Sequence, residues 1–154
     1  MRVLMICLGN ICRSPTAEAV LRRKLVQAGL ADRVAVDSAG TGGWHVGEPP
    51  DRRSIAHGAR RGYDLAPLRA RRVEAADYAR FDLILAMDEE NLADLRADCP
   101  PEHRGKLGLL MDHAGPGHGR VVPDPYSHGP DAFERVLDLV EVACDGLMAQ
   151  LARG

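Results

Sequence analysis

The run Cys7-Leu8-Gly9-Asn10-Ile11-Cys12-Arg13-Ser14-Pro15 constrains this chain more than any other stretch. An apolar, strand-like segment from Val3 leads into Cys7. After Ser14-Pro15, apolar residues Ala17, Val20, Leu21, Leu25 and Ala28 recur at helical spacing. A cysteine, five loop residues and an arginine therefore stand between a strand and a helix N-terminus. Ser14 reads as the N-cap and Pro15 as the first helical residue, with the helix ending near Ala28. Gly9 and Asn10 both tolerate left-handed backbone, so the loop can turn its N–H groups toward one point. That point lies at the positive end of the helix dipole, where anions bind. Arg13 adds a planar fork that matches two phosphate oxygens. The same field favours the thiolate form of Cys7. Leu8, Gly9, Asn10, Ile11, Cys12 and Arg13 thus read as a phosphate cradle with a nucleophile at its base. A bare cysteine-to-arginine spacing is a weak signal; the strand before it and the Ser-Pro after it make it specific.

The rest of the chain alternates in the same sense. Val34 to Ser38 reads as a second strand, Phe81 to Met87 as a third and Leu107 to Met111 as a fourth. Helices are expected from Asp51 to Arg61, with Gly62 just past the end, from Asp88 to about Arg96, and from Asp131 onward. Such alternation implies an α/β, three-layer fold: a four-stranded parallel sheet with helices on both faces. Ligands in such folds bind beyond the C-terminal ends of the strands, where the Cys7 loop falls.

At 154 residues the chain reads as one domain spanning 1–154. Its net charge of −2 supplies no pull toward nucleic acid or an anionic membrane. The cysteines at 7, 12, 99 and 144 make neither a zinc pattern nor a secreted disulfide framework, and no metal is expected. Cys12 is open to two readings: a redox partner that shields Cys7 in a reversible disulfide, or a small buried hydrophobe. No signal peptide or membrane-length apolar run is visible, so a cytoplasmic setting is expected. Arg52, Arg53, Arg60, Arg61, Arg69, Arg71 and Arg72 form a basic band, read as a solvated helix face in preference to a docking surface. His113 and His118, in a glycine-rich loop, read as solvated.

A phosphate ester also needs its leaving oxygen protonated. Asp124, stiffened between Pro123 and Pro125, is the candidate. Its acid form is favoured beside a bound phosphate dianion, and its carboxylate can later activate water. The alternative for Asp124 is a simple Asp-Pro turn. Asp88 likewise reads either as a helix N-cap or as a carboxylate supporting the site.

Taken together, Cys7 to Pro15, Asp37-Ser38-Ala39-Gly40-Thr41, Trp44 with Val46-Gly47, Ala70-Arg71, Met87-Asp88 and Asp124-Pro125-Tyr126 resemble a low-molecular-weight protein tyrosine phosphatase over essentially the whole chain. The resemblance implies a Rossmann-like sheet, no cofactor and hydrolysis of protein phosphotyrosine and aryl phosphates through a cysteinyl-phosphate. It implies Cys7 as nucleophile, Arg13 as phosphate clamp and Asp124 as general acid/base. Ser14 would hydrogen-bond the thiolate, Asn10 would hold the loop with help from Ser38, and Trp44 and Tyr126 would line the crevice for an aromatic ring. Phosphotyrosine proteins are then the expected partners, and phosphate or other oxyanions the expected inhibitors. Two departures stand out: Leu68 occupies about the place of a histidine that supports the loop in many relatives, and Ser127 follows Tyr126 where animal relatives often carry a second tyrosine.

Four other functions compete. An arginine phosphatase on this scaffold resembles the loop but carries threonine where Ile11 stands. An arsenate reductase needs two further cysteines close together, and Cys99 and Cys144 are far apart in sequence. A cysteine phosphocarrier needs no leaving-group acid, so Asp124 argues against it. A catalytically silent phosphotyrosine-binding module would have no use for the full set Cys7, Arg13 and Asp124.

Overall fold

The computed structural model describes residues 1–153 and contains the parallel sheet. Its strands are β1 (Arg2–Cys7), β2 (Ala35–Gly40), β3 (Leu83–Ala86) and β4 (Leu107–Leu109), in the order β2-β1-β3-β4. The chain passes from β1 to one neighbour, β2, and later returns to β3 on the other side. Connections on either side of β1 therefore diverge, and a crevice opens at its C-terminal end.

Side chains of β1 alternate between two cores. Val3, Met5 and Cys7 join one, with α1 (Arg13–Gln27) and α5 (Pro130–Arg153). Leu4 and Ile6 join the other, with Tyr78 of α3 (Ala75–Arg80) and Leu92 and Leu95 of α4 (Glu89–Asp98). A strand covered on both faces has no polar side, which is why Val3 to Cys7 is continuously apolar. The remaining helix, α2 (Arg52–Arg60), packs on α5. There His57 stacks on Phe133 with ring centroids 5.7 Å apart, and Tyr63 donates to Glu141.

Several boundaries differ from expectation. Helix α1 starts at Arg13, two residues before Pro15, and Ser14 is not its cap; Cys12 holds that position without a side-chain cap bond. The Ser14 hydroxyl is spent on Cys7 and Asn10 instead. Strand β2 runs on to Gly40, because the ladder continues to the pair Cys7↔Gly40. Strand β3 is shorter than the apolar run suggested, since Phe81 caps α3, a one-and-a-half-turn helix that the sequence reading missed. Leu110 and Met111 are buried in a 3-10 turn, not in β4. Asp51 and Asp88 cap α2 and α4 by accepting from the N–H groups of Arg53 and Asn91.

Five of the seven arginines of the basic band are exposed, as expected, and three of the seven hold carboxylates. Arg61 pairs with Glu134, Asp138 and Glu141, Arg53 with Asp51, and Arg71 with Asp37 and Asp77.

Candidate active site

The loop between β1 and α1 is held from outside by its carbonyls. Those of Cys7, Leu8, Ile11 and Cys12 accept from the N–H groups of Thr41 (3.0 Å), Gly42 (2.9 Å), Asp51 (2.8 Å) and Thr16 (3.3 Å). Among the described residues, none accepts a hydrogen bond from the backbone N–H groups of residues 8–13. With its carbonyls occupied outside and its donors unspent, the loop has a free ring of N–H groups for an anion. The second strand must come very close for this. A Cβ on Gly40 would lie 2.6 Å from the Leu8 carbonyl oxygen, so only glycine fits there.

Asn10 fixes the loop's shape. It is the one non-glycine residue with positive φ (58°) among those described, a conformation that costs about 1–2 kcal/mol for an ordinary L-residue and is eased for Asn. Three hydrogen bonds hold its buried amide there. Oδ1 accepts from Arg71 N–H (3.0 Å), and Nδ2 donates to Ser14 Oγ (2.8 Å) and Ser38 Oγ (3.0 Å). Leu68 therefore does not leave the amide short of partners. Ser14 Oγ in turn lies 2.9 Å from Cys7 Sγ, and Ser38 Oγ donates to Glu18 Oε1 at 2.6 Å. A continuous polar chain thus runs from Cys7 through Ser14, Asn10 and Ser38 to Glu18. Burial pushes the Glu18 carboxyl up, partly opposed by Ser38 and Arg22. Sequence reading missed Glu18; the one signal was a carboxylate between the core positions Ala17 and Val20.

Arg13 is almost wholly buried, and its Nη1 donates to Asp88 Oδ2 (2.6 Å) and to the Val122 carbonyl (3.1 Å). Burial disfavours its charge, but Cys7, Asp88 and Asp124 outweigh that and raise its pKa. Asp88 thus fills both of the roles left open for it, since its other oxygen caps α4. Asp124 approaches the same guanidinium from the opposite segment, with Oδ2 3.8 Å from Nη2. Its Oδ1 accepts from Tyr126 N–H (3.1 Å), so Asp124 and Tyr126 are set by one turn.

These groups line a crevice with Cys7, Cys12 and Arg13 beside Leu8, Gly9, Ile11, Trp44, His45, Asp124 and Tyr126. Trp44 is 71% exposed and Tyr126 50%, so both are rim residues and not core. Trp44 folds over Gly42, where an added Cβ would overlap its ring at 1.9 Å. The Leu8 side chain also sits at the surface. His45, unassigned from sequence, borders the crevice with Nδ1 2.6 Å from Glu48. Cys12 is buried, and burial pushes its thiol up to about 12, against a lowering contact from Ser54. Cys99 and Cys144 are buried in the two separate cores. His113 is half-buried, not solvated, and burial pushes its imidazole down. Among the described residues, no three His, Cys, Asp or Glu side chains could hold a metal, and no helix is long and apolar enough to cross a membrane.

The chain is similar to known proteins over nearly its whole length. A 47% identical relative, covering 96% of this chain and 92% of its own length, is a low molecular weight protein-tyrosine-phosphatase of Streptomyces coelicolor. Among solved structures, a protein tyrosine phosphatase of Entamoeba histolytica superposes with a TM-score of 0.97 at 39% identity, covering 100% of this chain and 98% of that one. A Drosophila arginine phosphatase superposes with a TM-score of 0.91 at 32% identity, covering 98% of both chains. The family model for low molecular weight phosphotyrosine protein phosphatases matches residues 2–154, and this chain belongs to that family.

Proposed function

We propose that this chain hydrolyses protein phosphotyrosine, and small aryl phosphates, through a cysteinyl-phosphate on Cys7. The observation that carries this reading is the approach of Asp124 to Arg13, with Cys7 in the same crevice. Asp88 and the Val122 carbonyl occupy Arg13 Nη1, which leaves Nη2 and Nε for two phosphate oxygens. The free N–H groups of the loop take the others. Cys7 Sγ attacks phosphorus as the bond to the aryl oxygen breaks, and the Asp124 carboxyl gives that oxygen its proton. In the second step Asp124, now a carboxylate, takes a proton from water. The water oxygen bonds to phosphorus, and Cys7 leaves as a thiolate hydrogen-bonded to Ser14. Trp44 and Tyr126 at the rim suit a flat phenyl ring that reaches down to Cys7, a span too long for phosphoserine.

Arginine phosphatase is the second reading, favoured by the likeness to the Drosophila enzyme. Ile11 on the crevice wall supports tyrosine over phosphoarginine. The four free cysteines suit a reducing, cytoplasmic setting, and Cys12, which lines the same crevice as Cys7, would serve as its disulfide partner under oxidation. A turnover panel of phosphotyrosine, phosphoserine and phosphoarginine peptides tests the assignment, with Cys7→Ser as the blank. Selective phosphotyrosine turnover that vanishes in Cys7→Ser supports it. Equal turnover of phosphoserine, or activity retained without the thiol, overturns it.

A further inference from the structure

We infer that Arg53, on α2, is a positioning residue that fixes Asp124 and Tyr126 over the Cys7 loop. This rests on the phosphatase reading for its catalytic consequence, though not for its geometry. The segment that carries Asp124 lies between two glycine-containing stretches, with Gly115, Gly117 and Gly119 before it and Gly129 after it. Upstream of Asp124 it is pinned at Val122, whose N–H donates to the Met87 carbonyl (2.7 Å) and whose carbonyl accepts from Arg13. Downstream, the Tyr126 and His128 carbonyls are held by Arg53: Nη2 donates to Tyr126 at 2.9 Å and Nη1 to His128 at 3.4 Å. Among the described residues no other donor reaches either carbonyl. The same guanidinium lies 5.6 Å from the centroid of the Tyr126 ring and 4.6 Å from that of Phe133.

The other end of the clamp is tied to the cradle. Arg53 Nε and Nη2 bond the two oxygens of Asp51 at 3.1 and 3.0 Å, and Asp51 N–H donates to the Ile11 carbonyl at 2.8 Å. Two residues therefore link the phosphate loop to the acid loop. Asp124 is suspended between Val122 and Arg53, so the downstream clamp fixes its direction toward the leaving oxygen. A lysine has one charged nitrogen and cannot reach both carbonyls and Asp51 as the fork does.

Arg53→Leu tests this by two independent readouts, with Arg53→Lys as a partial rescue. Backbone amide exchange in the 123–129 segment should quicken by roughly tenfold or more, while β1 and the middle of α5 stay as in the wild type. Unchanged exchange in that segment overturns the anchor whether or not the protein is a phosphatase. The second readout is leaving-group dependence. Turnover of phosphotyrosine, whose phenolate is basic and needs the proton, should fall more than that of p-nitrophenyl phosphate, widening their ratio by roughly tenfold. Arg53→Lys should fall between. Equal losses on both esters would show that Arg53 does not aim the acid. If the wild type hydrolyses neither ester, the phosphatase reading fails, while the exchange result still decides the anchor.

Discussion

The thiol of Cys7 and the hydroxyl of Ser14 lie 2.9 Å apart, and the hydroxyl is simultaneously the acceptor of Asn10 Nδ2 at 2.8 Å. Because Asn10 supplies that donor, the Ser14 hydrogen is free to point at sulfur. That hydrogen would stabilise a thiolate more than the phosphorus-bonded sulfur of a cysteinyl-phosphate, so it would matter most when Cys7 leaves phosphorus. A hydrogen bond to a charged group contributes about 1.5–3 kcal/mol. Ser14→Ala should therefore lower kcat by roughly ten- to a hundredfold, with release of phenol running ahead of phosphate in a burst. Rapid-mixing kinetics on an aryl phosphate checks it. A loss of rate with no burst would place the effect of Ser14 on the first step.

Asp124 is half-exposed, whereas Arg13, which it approaches, is buried and Asp88 on the same guanidinium is only partly exposed. That exposure would let Asp124 meet both a leaving oxygen and water. Asp124→Ala should cost about 10²–10⁴ in turnover of phosphotyrosine, the usual worth of a general acid or base. The loss should shrink for esters with more acidic leaving groups, and the basic limb of the pH–rate profile should disappear. A profile of unchanged shape would assign the proton to another group.

What the sequence made legible here is local. Cys7 to Pro15 carries its own turn, donor ring and helix start within nine residues, so its chemistry could be read without partners. The misreading of Ser14 has the same root: Ser-Pro is a good cap signal, but a hydroxyl beside a thiol and a strained Asn has a stronger use. Contacts between distant segments were not legible. Arg13 finds Asp88 after 75 residues and the Val122 carbonyl after 109. Glu18 was missed because its partner, Ser38, comes from β2, 20 residues away in sequence. Arg53 looked like one more basic residue, because backbone carbonyls leave no trace in a sequence. Helix α3 is six residues long, below the length at which helical periodicity can be read.

Ile11 lies on the crevice wall, and its carbonyl is locked to Asp51 N–H, so a change of side chain there should not move the loop. Threonine would replace an ethyl branch by a hydroxyl at this crevice-lining position. Ile11→Thr is expected to raise phosphoarginine turnover relative to phosphotyrosine. The ratio of kcat/KM for matched peptides measures it. A constant ratio would show that position 11 does not discriminate between the two esters.

Asp77 is fully buried, yet it accepts from Arg71 at 2.9 and 3.2 Å, from Arg80 at 2.9 Å and from Glu74 N–H at 2.7 Å. Burial pushes its carboxyl up, but these donors more than offset that and hold it below the ordinary value of 3.8. A carboxylate with a depressed pKa contributes stability that is present above its unfolded value and is lost as pH falls through the folded one. Asp77→Asn keeps the shape and removes the charge, leaving two partly exposed arginines without their shared partner. It should cost about 1–3 kcal/mol at pH 7 in urea unfolding. The difference from wild type should shrink only below pH of about 4. Arg71 also donates its N–H to Asn10, so the same variant should loosen the cradle and raise KM for aryl phosphate or Ki for inorganic phosphate at pH 7. A stability difference that stays constant down to pH 3 would mean that the Asp77 charge is not what holds this corner of the site.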